Sequence, residues 1–397
     1  MSGHQGGGAH SVRAGRVPIA WLSLVHRKSR LIASLGGVAF ASLLMFLELG
    51  FRNGLFDSQT YVARMMNADL VIVNSQKEAV VPKLPFSRRR LLQAKGVPGI
   101  VAAYPLYIDE YHSGWKNSQN GRDYPLLVYG MNPDDQAFLI PDVQRLAASL
   151  KQPDTAIIDS KSRNFYGALK ADTTAELRRR RMRIVGTFEL GPDFRTDGNV
   201  IVSDRTFFNT FGNPTDGSSE AARVEFGLLK VAAGEDIKAV QQAVTQALPS
   251  DVRVLTKDEF VGLIISFWGT SKPVGYVFGL GMVVGFLIGV AICYQILYTD
   301  IVDNLPQFAT LKAIGYHNRQ LVLVVLEKAL YLSVLGFIPG LVISLLAYAF
   351  LQVYSGIRME LTLLRALVVM LATIAMCLVA AGIAIRRVVN SDPAEVF

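Results

Sequence analysis

Long uninterrupted apolar runs dominate the hydrophobic pattern of this chain. Residues 31–50 contain a single acid, Glu48, and residues 274–298 contain no charged side chain. A third run begins near Leu321, is interrupted by Glu327 and Lys328, and continues uncharged from Ala329 to Tyr354; a fourth, 366–385, is again uncharged. About 20 apolar residues, each rising about 1.5 Å, cross a hydrocarbon core of about 30 Å. All four runs meet that length and predict transmembrane helices over 31–50, 274–298, 321–354 and 366–385. Ala39-Phe40-Ala41 has the small-x-small spacing of a signal-peptide cleavage site. It falls in the middle of the apolar run, which predicts a retained anchor.

Residues 51–273, between the first two runs, have a different pattern. Short β-branched stretches recur at 69–73, 100–108, 124–130, 155–158, 182–188, 200–202 and 224–231, separated by Gly, Pro, Asn and Asp. A strand over 226–231, a helix over 236–248 and a strand over 252–255 suggest a βαβ-like unit, with a helix packed on a sheet. A helix from Thr256 to Trp268 is expected to lead straight into the second span. The fold class is therefore a membrane protein with four transmembrane α-helices and a large extracytoplasmic α+β domain between the first two. Residues 1–17 read as a disordered tail. Residues 18–30 read either as an amphipathic interfacial helix offering its basic residues to membrane lipids or as an extension of the first span.

Charge supplies the orientation. Arg13, Arg16, Arg27, Lys28 and Arg30 precede the first span with no acid among them, and Arg386 and Arg387 follow the fourth. Both termini are expected in the cytoplasm of a cell inner (plasma) membrane protein, although Arg358 and Arg365 then fall outside, against the rule. The net charge of +8 fits a membrane surface, and no nucleic-acid module accompanies it. Cys293 and Cys377 both lie within predicted spans, so neither is placed for a structural disulfide. The external domain has to fold on its own hydrophobic core. Arg88–Arg90 and Arg178–Arg181 with Arg183 read as a solvated helix end and a solvated hairpin, with lipid or protein contact as the alternative.

The common catalytic signatures are missing. There is no P-loop, no H-E-x-x-H, no CxxC and no G-x-S-x-G, and the five histidines are scattered. No catalytic residue, metal site or bound cofactor is assigned. The connection between the second and third spans, 299–320, carries the most information. Asp303 or Asn304 can cap a helix, Pro306 suits its first turn and Gly315 ends it, which predicts a helix over 305–314. Phe308, Leu311 and Ile314 supply its apolar side. Either it inserts into a groove on a soluble partner or it lies on the membrane. Gly281, Gly285 and Gly289 place small residues on one face of the second span and suggest dimerisation there. Pro339 predicts a kink in the third span. Glu48, Glu327 and Lys328 are intramembrane polar residues expected to face protein or water; Glu327 and Lys328 point about 100° apart on a helix.

One span, a large external domain and three further spans with a short helix in the cytoplasmic loop resemble the FtsX/MacB-type ABC permeases. The tail Asp392-Pro393-Ala394-Glu395 is similar to that family's closing Asp-Pro-x-Glu, and Asn67-Ala-Asp69-Leu-Val-Ile-Val73 resembles the opening strand of its external domain. Phe51-Arg-Asn-Gly-Leu-Phe-Asp57, Phe188-Glu-Leu-Gly-Pro192, Asp251-Val-Arg-Val-Leu-Thr-Lys257, Tyr294-Gln-Ile-Leu-Tyr-Thr-Asp300 and Leu305-Pro-Gln-Phe-Ala-Thr-Leu-Lys-Ala-Ile-Gly-Tyr316 look like the DevC branch, associated with glycolipid export. The resemblance covers nearly everything from Pro18 onward. It implies a homodimeric, non-catalytic permease with a MacB-like periplasmic core domain, while ATP and Mg²⁺ are used by a separate DevA-like ABC ATPase. Leu305, Gln307, Phe308, Thr310, Leu311, Lys312, Ile314, Gly315 and Tyr316 would form the coupling segment. A DevB-like periplasmic adaptor (membrane fusion protein) and a TolC-like outer-membrane channel would complete the path, with ATP-driven motion transmitted to them for export of a lipid, glycolipid or other hydrophobic cargo. The alternative is an FtsX-like scaffold that uses the same motion to control an external cell-wall hydrolase.

Overall fold

The computed structural model describes residues 28–110, 114–167, 169–212, 223–315, 317–355 and 359–389, together with Trp21 and Leu24. The expected tail 1–17, most of the interfacial segment 18–30, Tyr316 and the Asp392-Pro393-Ala394-Glu395 motif lie outside these residues. Backbone contacts divide the chain into a membrane unit (residues up to Leu47, Met282–Leu345, and Thr362 onward) and an ectodomain unit (Glu48–Gly281 and Leu346–Leu361).

Helix α1, Lys28–Met65, contributes to both units. The apolar run ends at Gly50, yet the helix continues to Met65. Leu55, Val62, Ala63 and Met66 form an apolar stripe buried in the ectodomain core, so packing sustains the helix after hydropathy has dropped. The external domain expected to start at residue 51 thus opens on the continuation of the first span.

The ectodomain elements that follow are β1 (Leu70–Asn74), β2 (Phe86–Ser87), α2 (Arg88–Lys95), β3 (Ile100–Asp109), β4 (Gly114–Lys116), β5 (Asp123–Pro125) and β6 (Leu127–Met131). Next come α3 (Pro141–Leu146), β7 (Thr155–Asp159), β8 (Thr174–Leu177), β9 (Arg180–Phe188), β10 (Asn199–Ser203) and α4 (Asp204–Phe211). The last are β11 (Arg223–Val224), β12 (Phe226–Val231), α5 (Ile237–Ala247), β13 (Val252–Thr256) and α6 (Lys257–Ser266). Eleven of these strands form one mixed sheet in the order β13-β1-β12-β3-β6-β10-β7-β9-β8-β4-β5. Within it, β6 and β10 are parallel neighbours, as are β7 and β9.

The central strands are buried on both faces. Along β1, Val71 and Val73 enter a core with Leu55, Phe260 and Trp268, while Leu70 and Ile72 enter a second core with Leu91, Val240 and Val244. A strand covered on both sides reads as a continuous apolar run, which explains why no alternation marks residues 69–73. The expected βαβ-like unit is present in split form. β12 and β13 are each antiparallel to β1, which lies between them, and α5 makes the crossover.

The helix expected over 256–268 is present, but a short break separates it from the second span. Thr256 and Glu259 form a capping box that starts α6. A π-helical turn, Phe267–Ser271, follows, and Lys272 is extended (φ −113°, ψ 138°) before the next helix begins at Pro273. A proline disfavours helical geometry in the residue before it, so Pro273 enforces the break.

One buried ion pair pins the loop after β1. Lys77 Nζ pairs with Glu225 and donates to the Pro82 carbonyl at 3.0 Å, while Glu225 also accepts from the Leu84 amide at 2.8 Å. Burial lowers the Lys77 pKa, opposed by the Glu225 carboxylate. Arg88–Arg90 open α2, and Arg178 and Arg179 form the β8–β9 turn with positive φ (47° and 62°).

The helices α7 (Pro273–Asp303), α8 (Leu305–Ala313), α9 (Asn318–Ser355) and α10 (Leu363–Val389) complete the chain; the start of α7 and the end of α9 belong to the ectodomain unit and the rest to the membrane unit. With α1 they provide four helices long and apolar enough to cross a membrane among the described residues. Within this unit α1 is the hub. Gly340 of α9 approaches so closely that a Cβ there would lie 2.9 Å from the Ser42 Cβ. Ser42 Oγ is 3.1 Å from Thr373 Oγ1 of α10, and Phe46 lies beside Phe337. Cys293 of α7 and Cys377 of α10, unrelated in the sequence pattern, meet as free thiols with their sulfurs 3.5 Å apart.

The glycine face expected to dimerise meets the chain's own residues. A Cβ on Gly289 would overlap Met376 and lie 3.0 Å from the Ala41 Cβ, Gly285 faces Leu44 and Met45, and in the ectodomain unit Gly281 lies against the Glu48 carboxylate. Small residues let helices approach closely in a membrane, and here the chain's own helices fill the space.

Two outcomes are expected. Lys77→Met leaves Glu225 buried without its cation and lowers ectodomain stability by about 3–5 kcal/mol; chemical denaturation should show a milder loss for the Lys77→Met/Glu225→Gln pair. Gly289→Leu forces α7 away from α1 and α10 and costs about 1–3 kcal/mol, read as a lowered thermal midpoint of the detergent-solubilised chain.

Candidate functional site

The loop between α7 and α9 forms a short helix, α8, as its punctuation predicts. Pro306 sits in the first turn, Ile314 is the C-cap, and Gly315 has φ +102°, a left-handed conformation that glycine adopts without steric cost. Asn304 occupies the N-cap position, but its side chain does not cap the helix. Its Nδ2 donates instead to the Asp300 carbonyl at 2.7 Å and to Asp300 Oδ1 at 3.0 Å.

Asp300 is the centre of this arrangement. Its Oδ2 accepts from Lys328 Nζ at 2.8 Å, and Lys328 is only 3% exposed. The same ammonium lies 6.0 Å from the centroid of the Phe308 ring, at the outer limit of cation–π contact. Phe308 is 5% exposed. One side chain of α9 therefore bonds to α7 and lies near α8. A second ion pair, Arg30–Asp303, joins the start of α1 to the end of α7. That pair occupies one of the basic residues expected to face lipid headgroups.

These contacts sort the expected coupling residues. Gln307, Thr310 and Gly315 are exposed, Ile314 is 72% exposed, and Leu305 and Lys312 are half-buried. Phe308 turns inward, which corrects its assignment as a partner contact. Residues i and i+6 of a helix stand about 120° apart, so Phe308 and Ile314 do not share a face. The Leu311 side chain and Tyr316 lie outside the description. Among the expected polar residues, Lys328 is buried, with Asp300 of α7 as its partner. Glu327 is half-buried, as is Glu48 in the ectodomain unit.

Sequence reasoning passed over Asp300 and Arg30 as functional residues and took Asp303 and Asn304 only as candidate caps. The available signal was an acid at the end of one apolar run and a lysine inside the next. A lone charge within a span demands a counter-charge on a neighbouring helix.

Membrane helices around a hub, a two-sided ectodomain sheet and a polar-anchored loop helix define a multi-pass membrane subunit without a nucleotide-binding segment of the P-loop kind. Two family models place it more closely. The model described as MacB-like periplasmic core domain matches residues 31–247, and that described as FtsX-like permease C-terminal matches residues 279–393. The chain belongs to the FtsX/MacB-like family of ABC transporter permeases. Membership implies a partner ATPase and places the sheet domain outside the membrane. An uncharacterized ABC transporter permease of Methanocaldococcus jannaschii is 19% identical over 347 residues, covering 83% of this chain and 82% of that protein. The periplasmic region of MacB from Actinobacillus actinomycetemcomitans matches 49% of this chain and 91% of its own length at 10% identity, with a TM-score of 0.34. The extracellular domain of the noncanonic ABC-type transporter YknZ from Gram-positive bacteria matches 48% and 99% at 12% identity, with a TM-score of 0.33.

Proposed function

We propose that this permease serves an ABC exporter and that α8 is the helix that docks on its separate ATPase. The observation that carries this reading is the sidedness of α8: Phe308 is held inside, while Gln307, Thr310 and Ile314 are presented outward. A short helix fixed on one side and bare on the other suits insertion into a groove on a soluble protein. On this reading the termini and α8 lie in the cytoplasm, ATP and Mg²⁺ are bound by the partner, and the permease works as a homodimer in the cell inner membrane.

The route of the motion follows from connectivity. α1 runs unbroken into the ectodomain core, and the strand after it, β1, pairs with β13, the strand before α6 and α7. This connectivity supports a reading in which displacement of either helix reaches the one strand pair. The exporter uses this motion to drive a periplasmic adaptor and outer-membrane channel, with a lipid, glycolipid or other hydrophobic molecule as cargo, as the DevC resemblance implies.

The test is co-purification of the detergent-solubilised chain with its candidate ATPase. Ile314→Asp and Thr310→Arg should weaken the complex about 10- to 30-fold, the cost of a central interface contact of about 1.4–2 kcal/mol. Both variants should keep the thermal stability of the parent chain, because neither side chain is buried. Wild-type affinity in both would overturn the docking assignment.

A further inference from the structure

We infer that Lys328 is the positioning residue of the coupling helix: its buried ammonium locks α8 to α7, so that displacement of α8 carries the membrane helices with it. The inference rests on the docking role of α8 and names the device that transmits the displacement.

Asn304 alone separates α7 from α8, so the backbone joint is short but rotatable. What fixes its angle is the side-chain cluster. Asn304 Nδ2 ties the joint back to Asp300, Lys328 Nζ holds the same carboxylate from α9, and the ammonium lies beside the Phe308 ring. Pulling α8 outward would take Phe308 from the ammonium. Turning the joint would strain the Asn304–Asp300 bonds. An ion pair in a span is a costly way to add stability, since an apolar pair of similar volume often serves equally well. Its distinguishing property is geometric, because the carboxylate and ammonium have one good arrangement and many poor ones. The lysine is also more buried than its partner, at 3% against 15% exposure. It is therefore the group whose charge is committed to this contact.

The experiment uses the full chain in complex with its ATPase. It separates the affinity of that complex from the stimulation of ATP turnover by the permease. Asp300→Asn/Lys328→Met removes both charges without leaving a buried orphan. It is expected to bind the ATPase within twofold of wild type but to lose at least fivefold in stimulated turnover. Lys328→Arg, which keeps the charge, should stay within twofold on both measures. Phe308→Leu keeps an apolar side chain but removes the ring, and should lose about threefold in stimulation at unchanged affinity. It carries the test if the double variant does not fold. A merely structural role would lower the yield of folded protein and leave turnover per folded complex unchanged. Wild-type stimulation in the double variant, or in Phe308→Leu where that carries the test, would overturn the inference alone. Failure of the wild-type chain to bind any ATPase would overturn the docking role and this inference with it.

Discussion

Five registered residue pairs between β1 and β13, from Leu70↔Thr256 to Asn74↔Val252, form the contact on which the ectodomain's organisation depends. The chain enters the ectodomain through α1 and leaves it through α6, and these strands are the first and last of the sheet in sequence. Their pairing closes a loop of about 180 residues. Side chains alternate from β1 into both cores, so the ladder also fixes which side chains each face receives. A slip of one residue would exchange the faces and expel Val71 and Val73 from the core that holds Leu55, Phe260 and Trp268.

A different physics governs the membrane unit. Hydrocarbon supplies no hydrophobic drive between helices, so close packing and polar pairing decide which of them associate. α1 is contacted from three sides: Gly289 of α7, Gly340 of α9 and Thr373 of α10. At the end bearing α8, packing gives way to charge, in the pairs Lys328–Asp300 and Arg30–Asp303. Each of these pairs joins a residue in the last two turns of α7 to a different helix. The end of α7 is thereby tied to α1 and α9, with α8 joined to it in sequence by Asn304 and lying beside the same Lys328 ammonium through Phe308.

Much of the fold was legible because its signals are local. Hydropathic length announced four spans, and the strand stretches at 69–73, 100–108, 155–158 and 200–202 correspond to β1, β3, β7 and β10. The misses share a cause. The extension of α1 to Met65 and the β1 strand inserted between β12 and β13 depend on what lies beside each segment, and sequence distance hides it. The glycine face was legible as a packing face, but its occupant was not, since a small residue invites any helix that reaches it.

The sequence by itself determined that the chain spans a membrane four times, that a sheet domain interrupts the spans, and that a helix from Leu305 to about Ile314 lies between the second and third. Those are consequences of segment length, of a proline in a first helical turn and of a glycine after the last. Only the tertiary structure decided that Phe308 faces inward, that Ile314 faces outward, and that Lys328 answers Asp300 rather than its neighbour Glu327. Backbone punctuation acts over one turn of helix. A buried charge selects its partner by distance in space, and that distance exists only once α7, α8 and α9 have packed.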